Sequence, residues 1–168
     1  IVSAVAFSSD GTLLATGGGI QDKTVRIWNV ASGEVLHIMD GGPFLVMGLD
    51  FSPDNTVLAS SGDRNIYLWD VATGQKIATL EGHIYPVNTV AFSPDGTMLA
   101  SGGNDATVRL WDITSYTEIT TFRTRDSIFD VFFKANGTVL FSLGDARSVW
   151  AWDLHTFEGI RLINDGWF

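Results

Sequence analysis

The chain has no cysteine, only four prolines and three histidines among 168 residues, and charged side chains make up just 17% of it. Without cysteine there can be no disulfide and no thiolate metal centre. That absence selects no compartment, because an oxidising environment permits disulfides without requiring them. Localisation stays open, with the cytoplasm slightly favoured. His37, His83 and His155 lie far apart, and no acidic loop alternates ligands as a calcium site does, so no metal and no cofactor are expected. No apolar run approaches the roughly eighteen residues that cross a bilayer, and no segment with a basic start resembles a signal sequence, so a soluble chain is expected. Basic residues are scarce too: ten Lys and Arg stand against nineteen Asp and Glu, a net charge of −9. Phosphate backbones and anionic lipid repel such a chain, which argues against nucleic-acid and membrane partners.

What the sequence does have is glycine (18), phenylalanine (11), tryptophan (6) and an apolar fraction of 45%. That is enough to build a core, and it favours tightly turned, aromatic-packed strands over long charged helices. A period then emerges. Trp28, Trp69, Trp111 and Trp152 are 41, 42 and 41 residues apart, each followed by Asn29, Asp70, Asp112 or Asp153. Such self-similarity marks a repeat architecture.

Around each Trp the same four segments recur. Strand a alternates and ends in Phe, at Val2 to Phe7, Val46 to Phe51, Val87 to Phe92 and Ile128 to Phe133. It leads into a hairpin turn, written Ser9-Asp10-Gly11, Pro53-Asp54-Asn55, Pro94-Asp95-Gly96 and Ala135-Asn136-Gly137, where Asp or Asn bonds the backbone and Gly or Asn tolerates positive φ. Strand b is short and ends in a hydroxyl (Thr16, Ser60, Ser101, Ser142), strand c carries the Trp, and strand d runs over Glu34 to Met39, Gln75 to Leu80, Thr117 to Phe122 and Glu158 to Ile163. Four short strands cannot bury both faces alone, so the sheets must pack on one another, and radial packing gives a β-propeller. The expected fold is all-β: four four-stranded antiparallel blades over residues 1–39, 40–80, 81–122 and 123–168. Blades shaped for a wider ring would leave the first and fourth sheets bare, an aggregation hazard. Three resolutions are open: the chain belongs to a larger propeller, as its start inside an alternating strand without an initiator Met suggests; two copies join into an eight-bladed ring; or the four blades close on themselves.

The Trp-Asp pairs, the Ser-Pro-Asp-Gly turn, Gly82-His83 and the run Val108-Arg109-Leu110-Trp111-Asp112 together resemble the WD-repeat family. The resemblance covers essentially the whole chain. It implies a rigid, non-catalytic platform that binds other proteins, used as a scaffold or a sensing array. It also implies a hydrogen-bonded tetrad in each regular blade, which falls on His83, Ser101, Asp105 and Trp111 in the third unit. The others are incomplete. The first offers Thr16, Asp22 and Trp28, with its His position lying before the chain begins. The second offers Ser60, Asp63 and Trp69, with Gly42 at the His position. The fourth offers Ser142 and Trp152, with Asp145 one place early and Thr124 or Arg125 near the His position. Its hairpin Gly is replaced by Phe157, as the third unit's is by Tyr116.

His83, Ser101 and Asp105 are also the residue types of a nucleophilic triad. The expected reading is structural, because catalysis would further need an oxyanion site and a cleft, and nothing in the sequence points to either. The cluster Gly17-Gly18-Gly19 lacks the Lys-Ser/Thr of a phosphate loop and reads as a lengthened turn. In the family-like register, loops d–a and b–c crowd one face. They carry Phe44, Leu45, Ile84, Tyr85, Arg123 and Arg125, with Gln21, Lys23, Arg64, Asn104 and Arg147 in the b–c turns. Aromatics and Arg are frequent interface anchors, so this face is the candidate partner-binding surface, suited to an acidic segment. The alternatives are that these residues merely plug neighbouring loops, or that the chain is a purely architectural subunit contacting others through its outer strands. A propeller hydrolase is the rival from another class.

Overall fold

A computed structural model describes residues 1–145 and 148–163, and every regular element among them is a β-strand. Blade 1 holds β1 (Val2–Phe7), β2 (Leu13–Gly18), β3 (Thr24–Asn29) and β4 (Val35–Asp40); blade 2 holds β5 (Gly48–Phe51), β6 (Val57–Ser61), β7 (Asn65–Asp70) and β8 (Lys76–Glu81). Blade 3 holds β9 (Val87–Phe92), β10 (Met98–Gly103), β11 (Thr107–Asp112) and β12 (Thr117–Arg123); blade 4 holds β13 (Ile128–Phe133), β14 (Val139–Gly144), β15 (Val149–Asp153) and β16 (Gly159–Ile163). Each blade is an antiparallel sheet with its strands in chain order.

The a–b hairpins explain why the strands start and stop where they do. In blade 1, Asp10 Oδ1 accepts from Ser8 Oγ (2.7 Å), Thr12 N (2.9 Å) and Thr12 Oγ1 (2.8 Å). The same three bonds recur at Asp54 and Asp95. The Ser bond first, then those of the Thr, hold all three carboxyls below their ordinary range. Gly11, Asn55, Gly96 and Gly137 follow with φ between 60° and 73°, the left-handed turn that Gly and Asn tolerate. The c–d turns need the same conformation. Gly33 and Gly74 supply it cheaply, whereas Tyr116 and Phe157 hold φ 58° against the steric preference of a side chain.

Alternation gives each blade two apolar faces, and one rule packs them. The Trp-bearing face of a blade meets the opposite face of the blade before it. Phe51, Leu58 and Trp69 pack on Ala15, Val25, Ile27 and Met39; Phe92, Leu99 and Trp111 pack on Ala59, Ile66, Leu68 and Leu80; Leu140 and Trp152 pack on Ala100, Val108, Leu110 and Phe122. The a strands form the inner edge: β5 lies between β1 and β9, and β13 lies against β9. No packing of comparable extent joins β13 to β1.

Two sequence expectations are corrected. The second a strand begins at Gly48 rather than Val46, because Val46 N bonds back to Gly18 O of blade 1 and its buried side chain serves the seam. Gly17 and Gly18 are not turn residues but the end of β2. A Cβ on Gly17 would come within 2.6 Å of Val46, so glycine there lets blade 2 approach.

Candidate functional site

The polar network of blade 3 is built on a strand pair whose register places Leu99 opposite Trp111 and Ser101 opposite Arg109. Trp111 Nε1 donates to Ser101 Oγ (2.9 Å), the same hydroxyl lies 2.8 Å from His83 Nε2, and His83 Nδ1 lies 2.9 Å from Asp105 Oδ2. Ile84 N (3.1 Å) and Thr107 Oγ1 (2.6 Å) also donate to that carboxylate. Burial by itself raises the Asp105 pKa. The bonds to His83 and Thr107, the electrostatic attraction of His83 and the Ile84 amide outweigh it and hold the carboxyl well below the usual carboxylate range. The order Asp–His–Ser matches that of a hydrolase triad, but Ser101 is 0% exposed and its oxygen already accepts the indole N–H. A nucleophile needs a path to substrate; this hydroxyl bridges the buried indole and imidazole instead.

The other blades reach the same end with different residues. In blade 2, Trp69 Nε1 donates to Ser60 Oγ (2.8 Å). With Gly42 in place of histidine, the Tyr67 side chain fills the space and its hydroxyl donates to Asp63 Oδ2 (3.0 Å). A Cβ on Gly42 would meet the Tyr67 ring at 3.0 Å, so the two residues are a matched pair. Burial pushes the tyrosine pKa up from its ordinary value. In blade 1, Trp28 Nε1 donates to Thr16 Oγ1 (2.8 Å), and Arg26 reaches Asp22 at 3.2 Å.

In blade 4, Trp152 Nε1 donates to Ser142 Oγ (2.9 Å), but neither Thr124 nor Arg125 enters the network. Thr124 Oγ1 donates to the carbonyls of Ala106 and Asp126, and Arg125 is exposed. Asp126 comes in from the d–a loop to accept from Ser148 Oγ (3.1 Å), while Asp145 is exposed. Sequence reasoning missed Tyr67 and Asp126. Tyr67 was visible as the strand c residue two before Trp69; Asp126 was hidden by the deletion in its loop.

Backbone bonds tie loops d–a to turns b–c. Val87 N donates to Asp63 O (2.8 Å), Asn104 N to Pro86 O (2.9 Å), Thr124 N to Ala106 O (2.9 Å) and Asp145 N to Ser127 O (3.0 Å). On this end Phe44, Ile84 and Tyr85 are more than half exposed, Leu45 is half-buried, and Arg64, Asn104, Arg123 and Arg125 are exposed. Arg147 lies outside the described residues. Ile20 and Phe129, two exposed side chains that sequence reasoning did not select, join them. At the centre is a cavity of about 390 Å³ lined by Ser3, Leu45, Met47, Asn88, Asn104 and Phe129. Ser3, Met47, Asn88 and Phe129 each stand four residues before the terminal Phe of their a strand, so one repeat position from every blade faces the axis. Asn88 Nδ2 donates to Asn104 Oδ1 (2.7 Å) and Ile128 O (2.8 Å) across the rim.

Four serially packed, four-stranded blades with an indole–hydroxyl bond in each define a β-propeller array. Residues 1–29, 33–70 and 74–112 match the sequence model of the family described as "WD domain, G-beta repeat". The chain belongs to this WD40-repeat family. Relatives include protein tipD of Dictyostelium discoideum, 41% identical over 63 residues, which are 37% of this chain and 10% of tipD. Apoptotic protease-activating factor 1 of Homo sapiens is 44% identical over 71 residues, 36% of this chain and 5% of that protein. The small ribosomal subunit protein RACK1y of Oryza sativa subsp. japonica is 38% identical over 60 residues, 36% of this chain and 17% of that protein. The chain thus corresponds to a small part of each relative. Blade 4 lies outside the matched residues, and its acid, Asp126 from the d–a loop in place of one in the b–c turn, is where it departs from blades 2 and 3.

Proposed function

We propose that the chain is a non-catalytic protein-interaction module, a scaffold or sensing array, that docks partners on the face built from its d–a and b–c loops. The observation that carries this is the gathering of exposed Phe44, Ile84 and Tyr85 with Arg64, Arg123 and Arg125 at one end of a hydrogen-bonded framework. Apolar anchors beside guanidinium groups suit an acidic segment with an apolar residue in it. The net charge of −9 disfavours nucleic acid and anionic lipid as partners. The burial of Ser101 supports a structural rather than a chemical role for the Asp–His–Ser arrangement.

The test is partner capture from the native source by the wild type and by a Tyr85→Ala/Arg125→Ala variant. Loss of the captured proteins is expected; undiminished capture would remove this face from consideration. A second reading, an architectural subunit contacting others through its outer strands, is favoured by the exposed Ile38, Ile77, Ile119 and Ile160 on β4, β8, β12 and β16. Substituting Ile77 and Ile119 by Ser, with capture lost there but kept in the loop variant, would favour it. We further infer that the four blades form part of a larger or oligomeric propeller, a reading supported by the absence of extensive packing between β13 and β1.

A further inference from the structure

The four a–b hairpins share one plan, and the fourth departs from it at two positions that decide its chemistry. In blades 1 to 3 the turn acid is Asp10, Asp54 or Asp95, and the residue two places before it is Ser8, Ser52 or Ser93. Each serine is buried and makes two bonds. Its Oγ donates to the carboxylate at 2.6–2.7 Å and accepts from the amide of Leu13, Val57 or Met98 at 2.9 Å. In blade 4 the pair reads Lys134 and Asn136, and the exposed Lys134 has no side-chain oxygen to make either bond. What holds this turn is Gly137 N donating to Lys134 O (2.8 Å), Lys134 N donating to Val139 O (2.8 Å), and Thr138 N (3.2 Å) and Thr138 Oγ1 (2.9 Å) donating to Asn136 Oδ1. A hairpin closed by fewer bonds than its sisters opens locally more often. Asn136 is also the one asparagine followed by glycine; each of the others precedes a residue with a side chain.

We propose that Asn136 is a self-modifying residue: when its hairpin opens, Gly137 N attacks Asn136 Cγ and the side-chain amide is replaced by way of a cyclic imide. The Gly137 N–Cγ bond forms and the Cγ–Nδ2 bond breaks. The side-chain nitrogen leaves as ammonia, carrying the proton that Gly137 N gives up. Water then adds across one C–N bond of the imide. Addition at Cγ restores the main chain and leaves aspartate; addition at the Asn136 carbonyl carbon leaves isoaspartate, with the chain routed through the side chain. Gly137 permits the attack because no Cβ shields its nitrogen. Asp10-Gly11 and Asp95-Gly96 have the same nucleophile but not the electrophile: their turn bonds keep the carboxyls ionised, and an amide nitrogen does not attack a carboxylate. The aspartate product is the residue this turn already uses in three blades, where its Oδ1 takes the same two threonine bonds. Asp54 and Asp95 are exposed although their blades have neighbours on both sides, so the exposure of Asn136 belongs to the turn and not to the place of blade 4 in the array.

The experiment is incubation of the folded 168-residue chain near neutral pH in heavy-oxygen water, followed by peptide mapping with mass spectrometry. Asn136 is expected to lose its amide well ahead of every other asparagine, giving both aspartate and isoaspartate, each with one heavy oxygen. The rate should rise with hydroxide concentration between about pH 6 and pH 8, as removal of the Gly137 proton requires. Lys134→Ser, which returns both serine bonds, should slow the loss by about tenfold by holding the hairpin closed. Asn136→Asp, the product made directly, should melt no lower than the wild type. Retention of the amide, or its loss at a rate the other asparagines match, would overturn the proposal, and aspartate without isoaspartate would overturn the imide route. An undiminished rate in Lys134→Ser would overturn the role of the missing serine bonds. A lower melting temperature for Asn136→Asp would overturn the fit of the product.

Discussion

Substituting His83 by Ala is the sharpest probe of whether the blade 3 network is a structural device. The imidazole is 5% exposed and bridges the hydroxyl of Ser101 to the carboxylate of Asp105. Removing it deletes one charge-assisted bond, worth about 1.5–3 kcal/mol, and one neutral bond, worth about 0.5–1.5 kcal/mol, and opens a ring-sized void. Asp105 keeps Ile84 N, Thr107 N and Thr107 Oγ1 as donors, so its charge is not orphaned. The expected loss is therefore roughly 3–5 kcal/mol, the range that breaking a buried ion pair costs.

Urea denaturation followed by tryptophan fluorescence should show this as a lowered midpoint with an unchanged slope. Ser101→Ala should cost about 2–4 kcal/mol, since Trp111 Nε1 and His83 Nε2 lose a shared partner, and the double variant should fall short of the sum by about 1 kcal/mol. The carboxyl of Asp105 titrates below its ordinary 3.8 in the fold. Its contribution is thus present above that pH and lost as pH falls further, so the wild type's acid limb should be steeper than that of His83→Ala. A His83→Ala loss under about 1 kcal/mol, or labelling of Ser101 in the wild type by a serine-hydrolase probe, would refute the structural reading.

Further expectations follow from other sites. Burial lifts the Asp50 carboxyl to about 6 even though Phe92 N donates to it at 2.7 Å. The folded state then holds a proton that the unfolded chain releases, so stability declines as pH rises from about 4 to 6. Asp50→Asn should flatten that decline and add roughly 1–2 kcal/mol at pH 7, measured by denaturant titrations at several pH values. Tyr67→Phe should cost about 1–2 kcal/mol, because Asp63 keeps only the Asn65 amide; no change in midpoint would refute the Tyr67–Asp63 bond as a stabilising contact. Tyr116→Gly should raise the melting temperature by a few degrees, reflecting about 1 kcal/mol of left-handed backbone strain relieved at an exposed turn. A lower melting temperature would show that the phenol ring holds the turn.

Local chemistry wrote most of the fold into the sequence. The spacing of Trp111 from Ser101 is set by a two-stranded register, and the Ser-x-Asp-Gly-Thr hairpin closes within five residues, so blade count and turns were legible from linear order, whereas the blade 3 network was expected only through the family resemblance. Compensations that depend on space rather than sequence separation were not. Tyr67 takes a histidine's place because Gly42 lies close to its ring in the fold, and Asp126 reaches Ser148 across a loop one residue short. Gly17 is small because Val46 of the next blade presses on it. The axial cavity exists because the a strands of four blades converge. Periodicity fixes what each blade is; packing between blades decides which side chains meet, because those contacts join residues some forty positions apart.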